Sequence, residues 1–194
     1  SVYDAKNRKI ATTKYATKLE PAERVLDKNG NLIIQALSGD RTTHYIYNAN
    51  DKRVGKVDAD GYLTEYVLDA DDRCEAEIVY KEKPVLSQLG TLDQDDPMQA
   101  LRPARTPTKD GYTLYIHDLN GNKVGKLEVF DYKDNQYHAY LTEYAHYANH
   151  IVSVETRYAT PIVLSEPYTL DHLRPTKSAE DVVETTMIDG LNRT

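Results

Sequence analysis

The stretch from Val54 to Arg73 reads VGKVDADGYLTEYVLDADDR. Seventy residues on, Val124-Gly-Lys126 repeats its opening, and Tyr140-Leu-Thr-Glu-Tyr144 repeats its YLTEY. A catalytic motif needs to occur only once. A phrase repeated with its spacing kept is a building unit.

Working outward, Tyr45 to Lys56 aligns with Tyr115 to Lys126 at an offset of 70, and Tyr62 to Tyr66 aligns with Tyr140 to Tyr144 at an offset of 78. The difference of 8 is an insertion within EVFDYKDNQYHAY, where the first copy makes a tight Asp-Ala-Asp-Gly turn and the second a longer hairpin or loop. The 78 offset then persists, with Tyr80 matching Tyr158 and Val85 to Ser87 matching Val163 to Ser165.

Between the repeated phrases lie runs rich in Tyr, Val, Ile and Thr, separated by Asn48-Ala-Asn-Asp51, Asp58-Ala-Asp-Gly61 and Asp69-Ala-Asp-Asp72. Short strands punctuated by such turns predict an all-β, antiparallel chain. Alternation agrees: Cys74, Ala76, Ile78 and Tyr80 share one face, and Glu75 and Glu77 the other. In the second copy Val152, Val154, Thr156 and Tyr158 keep that face, with Glu155 opposite. Residue identity changes while alternation survives, as a packed sheet tolerates.

Two proline-containing stretches break the rhythm. In Gln88 to Gly111, Asp96 and Pro97 read as the cap and first position of a helical turn. After the second copy, Ser178 to Glu184 is the equivalent short helical candidate. The chain therefore divides into a divergent partial unit (1–44), a full unit (45–87), an excursion (88–111), a unit with the insertion (112–165), and a second excursion leading into a further unit (166–194). Weaker echoes sit at Val2 to Arg8, Lys28 to Leu32 and Ile188 to Arg193.

Composition narrows the function classes. The 194 residues carry a net charge of −7, with acids and bases interspersed, which argues against nucleic acid as a partner. No apolar run approaches a membrane span, and the N-terminus lacks the apolar core of a signal peptide. The chain begins without Met and ends mid-pattern on Leu191-Asn-Arg-Thr194, so it is expected to be a piece of a longer protein. One cysteine excludes an internal disulfide scaffold. Sixteen Tyr against one Phe and no Trp favour half-wet sheet faces, where the ring packs and the hydroxyl stays solvated.

These residues carry a family likeness. Tyr3-Asp4 with Arg8, Tyr47-Asn48 with Arg53 and Gly55, and His117-Asp118 with Lys123 and Gly125 resemble the turns of the YD-repeat, or Rhs, family. Asp189-Gly-Leu-Asn-Arg193 is similar to the same turn, with Ile188 in the tyrosine place. The likeness covers most of residues 1–80 and 112–158 and neither excursion. It implies a β-hairpin ribbon wound into part of a curved wall or shell. Such shells enclose toxin domains in bacterial polymorphic toxins and in Tc toxin B and C components, and serve adhesion in teneurins. The resemblance thus implies a non-catalytic, secreted or bacterial-surface setting, with neighbouring repeats and an enclosed toxin cargo as partners. The chain departs from the family pattern at Asn48 and His117, where Asp and Tyr are preferred. The run Asp96-Pro-Met-Gln-Ala100 also lacks the glycine of the family's self-cleavage sequence, so autoproteolysis does not carry over.

Candidate chemistry reads mostly as structure. Asp58, Asp60, Asp69, Asp71 and Asp72 lack the ligand pattern of a calcium loop and read as turn residues, as do Asp93, Asp95 and Asp96. His138, His146, His150 and His172 suggest a metal, but His146 and His150 on a strand stand roughly 13 Å apart. Cys74 aligns with Val152 and reads as a small core residue rather than a nucleophile. Asn192 opens a glycosylation sequon that reads as chance. No serine elbow, phosphate loop or catalytic carboxylate pair stands out, so neither enzyme nor cofactor is expected. The positions expected to matter are those of the repeat. Gly55, Gly61, Gly121 and Gly125 serve turns or close backbone approach, and Asp118 opens a turn. Tyr47, Tyr62 and Tyr140 line the sheet, while Tyr66, Tyr80, Tyr144 and Tyr158 pack the wall. The competing expectation is a binding module presenting tyrosine faces and the 88–111 loop to a glycan or a host surface protein.

Overall fold

The computed structural model describes residues 1–16, 25–26, 32–33, 39–89, 92–93, 96–147 and 152–187. Among these the protein is all-β with antiparallel pairing. The strands are β1 (Val2–Tyr3), β2 (Lys9–Lys14), β3 (Val25–Leu26), β4 (Leu32–Ile33), β5 (Arg41–Tyr47), β6 (Arg53–Val57), β7 (Leu63–Leu68) and β8 (Cys74–Val79). There follow β9 (Gly111–His117), β10 (Lys123–Lys133), β11 (Gln136–Tyr147), β12 (Val152–Arg157), β13 (Ile162–Val163), the single turn of helix α1 (Leu170–Leu173) and β14 (Val182–Met187).

The chain forms two compact units, Ser1–Thr64 with Glu82–Pro103, and Glu65–Lys81 with Ala104–Thr194. The division falls inside β7 rather than at a repeat boundary, because residues 82–103 fold back against the β6 side of the first unit. In the first unit the strands hydrogen-bond in the order β1-β2-β5-β6. In the second the order is β8-β9-β10-β11-β12-β14, with β13 on β11. The pair β3-β4 forms a separate two-stranded ribbon.

The repeat is one of register as well as sequence. His44, Tyr45 and Ile46 face Val57, Lys56 and Gly55, and Leu114, Tyr115 and Ile116 face Leu127, Lys126 and Gly125 in the same way. A further junction occurs three times: Thr12 faces Thr43, Glu77 faces Thr113, and Glu155 faces Glu184. Thus β5, β9 and β14 are three copies of one opening strand, with β5 beginning at Arg41, ahead of the expected boundary at Tyr45, and β9 at Gly111, ahead of that at Tyr112.

One five-residue turn recurs at Asp4, Asn48, Asp58, Asp69 and Asp118. In each, the first side chain accepts the backbone N–H groups two and four residues on, at 2.8–3.1 Å. The fourth residue takes a left-handed conformation: Asn7, Asp51, Gly61, Asp72 and Gly121 have φ between 60° and 87°. This is the geometry of a hairpin closed by a bulge. Of the carboxylates weighed as calcium ligands, Asp58 and Asp69 are thereby spent on their own backbone, while Asp60 and Asp71 pair with Arg41 and Arg73.

The second core gathers around Leu127, Ala139 and Leu141, all fully buried, with Leu114, Ile116, Tyr158 and Leu173. The helical turn at Asp96 forms as a turn, with Arg102 N–H bonding Met98 O at 2.9 Å and the Asp96 carboxylate engaging Arg102 at 3.1 Å. The helix expected over Ser178–Glu184 is absent. Residues 178–181 form a turn held by the Asp181 carboxylate, and the β-branched run Val182-Val183-Glu184-Thr185-Thr186 continues as β14. The helical turn of this excursion lies earlier, at α1, begun by Thr169 as N-cap.

Candidate functional site

Three contacts recur with the repeat and explain why its phrases are kept. The first is a buried tyrosine–glutamate pair. Tyr80 Oη donates to Glu65 at 2.6 Å, and Tyr158 Oη to Glu143 at 2.7 Å. Both tyrosines are buried, at 2% and 3% exposure. Leu63 and Leu141 are fully buried two residues before these glutamates, so YLTEY supplies a core leucine and an acceptor from one face of its strand. In the second copy Arg174 completes the arrangement, its guanidinium meeting both Glu143 oxygens at 2.7 and 2.9 Å. That pair holds the Glu143 carboxyl below its ordinary value of 4.5, against the opposing effect of burial. Burial, with the bond to Glu143, pushes the Tyr158 phenol up to about 12.

The second contact is an excursion seated on a glycine. A Cβ built on Gly55 would meet Met98 Sδ at 2.7 Å, and one on Gly125 would meet Leu170 Cδ2 and Ile116 Cδ1 at 3.1 Å. Met98 and Leu170 lie in the turns of the two excursions. VGK therefore repeats because the excursion of each unit covers the strand where the glycine leaves room.

The third is an aspartate ahead of each opening strand. Asp40, Asp110 and Asp181 accept the backbone N–H of Ala16, Lys81 and Ala159 at 2.9–3.0 Å. Asp110 is the most enclosed, its carboxylate inaccessible to solvent and also taking the N–H of Thr106 at 2.6 Å. Glu65, Glu143, Asp40, Asp110, Asp181, Met98 and Leu170 are not picked out from sequence. The signal for the glutamates was present, since each stands 15 residues before its tyrosine in both copies.

Several other tyrosines lie under cations. Arg8 lies over Tyr47, Lys83 over Tyr62, and Lys123 over both Tyr115 and Tyr144, at 4.9–5.3 Å. Such stacking suits half-buried aromatic rings. Tyr66 is half-buried. Tyr140 is exposed and stacks on Phe130, the chain's one phenylalanine, with ring centroids 4.7 Å apart.

Chemistry-bearing clusters are sparse. Among the described residues no group of three or more His, Cys, Asp or Glu could hold a metal ion. His138 packs beside Phe130 and His172 Nε2 bonds Ser165 at 3.0 Å. Cys74 is half-buried, its thiol donating to Ala76 O at 3.4 Å. A depression of about 390 Å³ in the first unit is lined by Ile10, Ala11, Ile46, Leu89, Leu92 and Pro97 among others. Its counterpart in the second unit, about 150 Å³, lies between Arg73, Glu75, His117 and Tyr168. No described helix is long and apolar enough to cross a membrane. Lys28 to Asn31, Asp95, His150 and Ile188 to Thr194 lie outside the described residues. No family model matches the chain, and no curated protein matches it significantly.

Proposed function

We propose that this chain is a non-catalytic, architectural segment of a larger YD-repeat protein, secreted or displayed on a bacterial surface. In it, successive hairpin units would build a wall around a toxin cargo. The observation that carries the proposal is the threefold junction of β2 with β5, β8 with β9, and β12 with β14 in one register. Among the described residues, the contacts that recur with it are packing, capping and turn-closing contacts. A unit of this kind hides its apolar face by stacking on its neighbours.

The position of β14, last in the strand order among the described residues, supports the same reading. Opening strands β5 and β9 each accept a following strand, placing Gly55 opposite Ile46 and Gly125 opposite Ile116. The third opening strand, β14, pairs β12 on one side, and its Val182 and Val183 stay more than half exposed. Among the described residues no strand pairs with the other side of β14; an edge of this length is a template for another strand, and its register matches that of the earlier opening strands.

The test is to join a second copy of Asp118–Met187 after residue 188 and follow hydrogen exchange. Amides of β14 that face the open side should become protected. Unchanged exchange there would show that the sheet does not grow by unit addition and would overturn the architectural reading. Enclosure of cargo is tested on the full-length parent: its C-terminal domain should resist protease until the repeat region is cut, and a freely digested domain overturns that part.

A further inference from the structure

The eight-residue insertion that separates the two copies builds something the repeat does not require. Where the first copy closes at Asp58–Gly61, the second prolongs β10 and β11 into a hairpin turned by Asp134 and Asn135, both left-handed. Phe130 has no cross-strand partner, because Val129 faces Ala139 and Asp131 faces His138. A bulge of this kind re-aims a side chain. Here it lays the Phe130 ring over that of Tyr140, 4.7 Å away and tilted by 27°. The His138 ring stands 6.4 Å from Phe130.

The two faces of this hairpin are unequal. On one, Ala139 and Leu141 are fully buried, and Tyr137 packs between Tyr112 and Tyr132 at 5.1 and 4.8 Å. On the other, Phe130 and Tyr140 are 53% and 42% exposed. The exposed face is braced from behind by that tyrosine cluster and from the edge by β13, whose Ile162 and Val163 pair with Ala139 and His138. Rigid aromatic surface costs little ordering to use. Nothing in the repeat's packing needs this face, since the first copy folds without it.

The geometry points to a binding platform for a neutral saccharide ring on Phe130 and Tyr140, independent of the architectural role. Three features select that occupant. The exposed rings offer on the order of 200 Å², against the roughly 800 Å² per partner of a stable protein interface, so a second copy or a folded protein is too large a match. The local charge is mixed: Lys126 is paired with Glu128 at 2.7 Å, Asp131 and Lys133 follow, and no single-sign field selects an ionic ligand. Negative ring faces attract the polarised C–H groups of a pyranose. Glu128, directly opposite Tyr140, together with the Tyr140 hydroxyl, Asp131 and His138, supplies planar polar groups for its hydroxyls.

The single phenylalanine makes the test site-specific. Protein grown with para-fluorophenylalanine carries one fluorine probe, at position 130, which is titrated with cellotetraose, maltotetraose and chitotetraose at millimolar concentration. A saturable shift is expected with at least one of them. Tyr140→Ala should weaken it about tenfold while leaving the far-ultraviolet circular dichroism unchanged. Tyr3→Ala, which removes another exposed tyrosine, should leave it unaffected. No saturable shift with any of the three sugars overturns the proposal. So does a shift that follows protein concentration alone with sedimentation as a dimer, which would assign the face to a second copy. An equal loss in the Tyr3→Ala variant would show the binding to lie elsewhere.

Discussion

The phenol of Tyr158 donates to Glu143 at 2.7 Å, and 78 residues earlier Tyr80 repeats the bond with Glu65 at 2.6 Å. A hydrogen bond to a charged carboxylate is among the stronger contacts, about 1.5–3 kcal/mol; Glu65 is buried and Glu143 half-buried. Tyr80→Phe and Tyr158→Phe keep the ring and delete that bond, so each should lower the unfolding free energy by about that amount in urea titrations. Variants as stable as the parent would show that the repeated YLTEY is kept for its leucine alone.

The same pair sets a pH dependence. Glu143 is held below its ordinary 4.5, first by Arg174 and then by Tyr158, so its contribution is complete above the unfolded value and is lost as pH falls through the lower folded value. Tyr158 is raised to about 12, so its contribution is complete below the unfolded value of 10.0 and is lost as pH rises from there through about 12. Arg174→Met should flatten the acid limb of the urea midpoint against pH and leave the alkaline limb in place. An unchanged acid limb would remove Glu143 from the account.

Turn chemistry predicts a graded series at one position. Gly121, with φ of 82°, stands where Asn7, Asp51 and Asp72 stand in sister turns. Gly121→Asn should therefore cost under about 1 kcal/mol, whereas Gly121→Val, β-branched in a left-handed site, should cost about 2 kcal/mol or more. Equal costs would mean that the turn is not selecting by backbone conformation. At the turn's first position Asp69 is held below 3.8, chiefly by the backbone N–H of Arg73, so its contribution fades as pH falls through that lowered value. Asn48 does the same work as an amide, so Asp69→Asn should keep the turn while shedding its pH dependence.

Much of this was legible in the sequence because it is local. Period-two alternation and Asx turns need only neighbouring residues, so strands β5 to β8 and the five turns follow from short windows. The excursions do not. Ser178 to Glu184 carries a helix-like polar pattern, but Asp181 spends its carboxylate on Ala159 and Ser178, and pairing to β12 draws Val182 onward as a strand. The helical turn forms instead at Leu170, where burial against Gly125 is available. Likewise, Phe130 and Tyr140 sit ten residues apart in a run that reads as an insertion, and only the bulge opposite Ala139 and His138 brings their rings together.

The excursion contact gives the last prediction. Gly55 faces Met98 Sδ at 2.7 Å and Ile46 Cδ1 at 2.9 Å from where a Cβ would stand, so Gly55→Ala must move both. Overpacking costs about 1–3 kcal/mol, partly offset by the about 0.4–1 kcal/mol that alanine gains over glycine through the unfolded chain. Met98→Ala removes a fully buried side chain and should cost about 2–5 kcal/mol alone. The two changes share one space, so they should not add: Gly55→Ala should become neutral or stabilising in the Met98→Ala background. Strict additivity in urea unfolding would mean that Met98 does not rest on Gly55, and that the VGK repeat needs another cause.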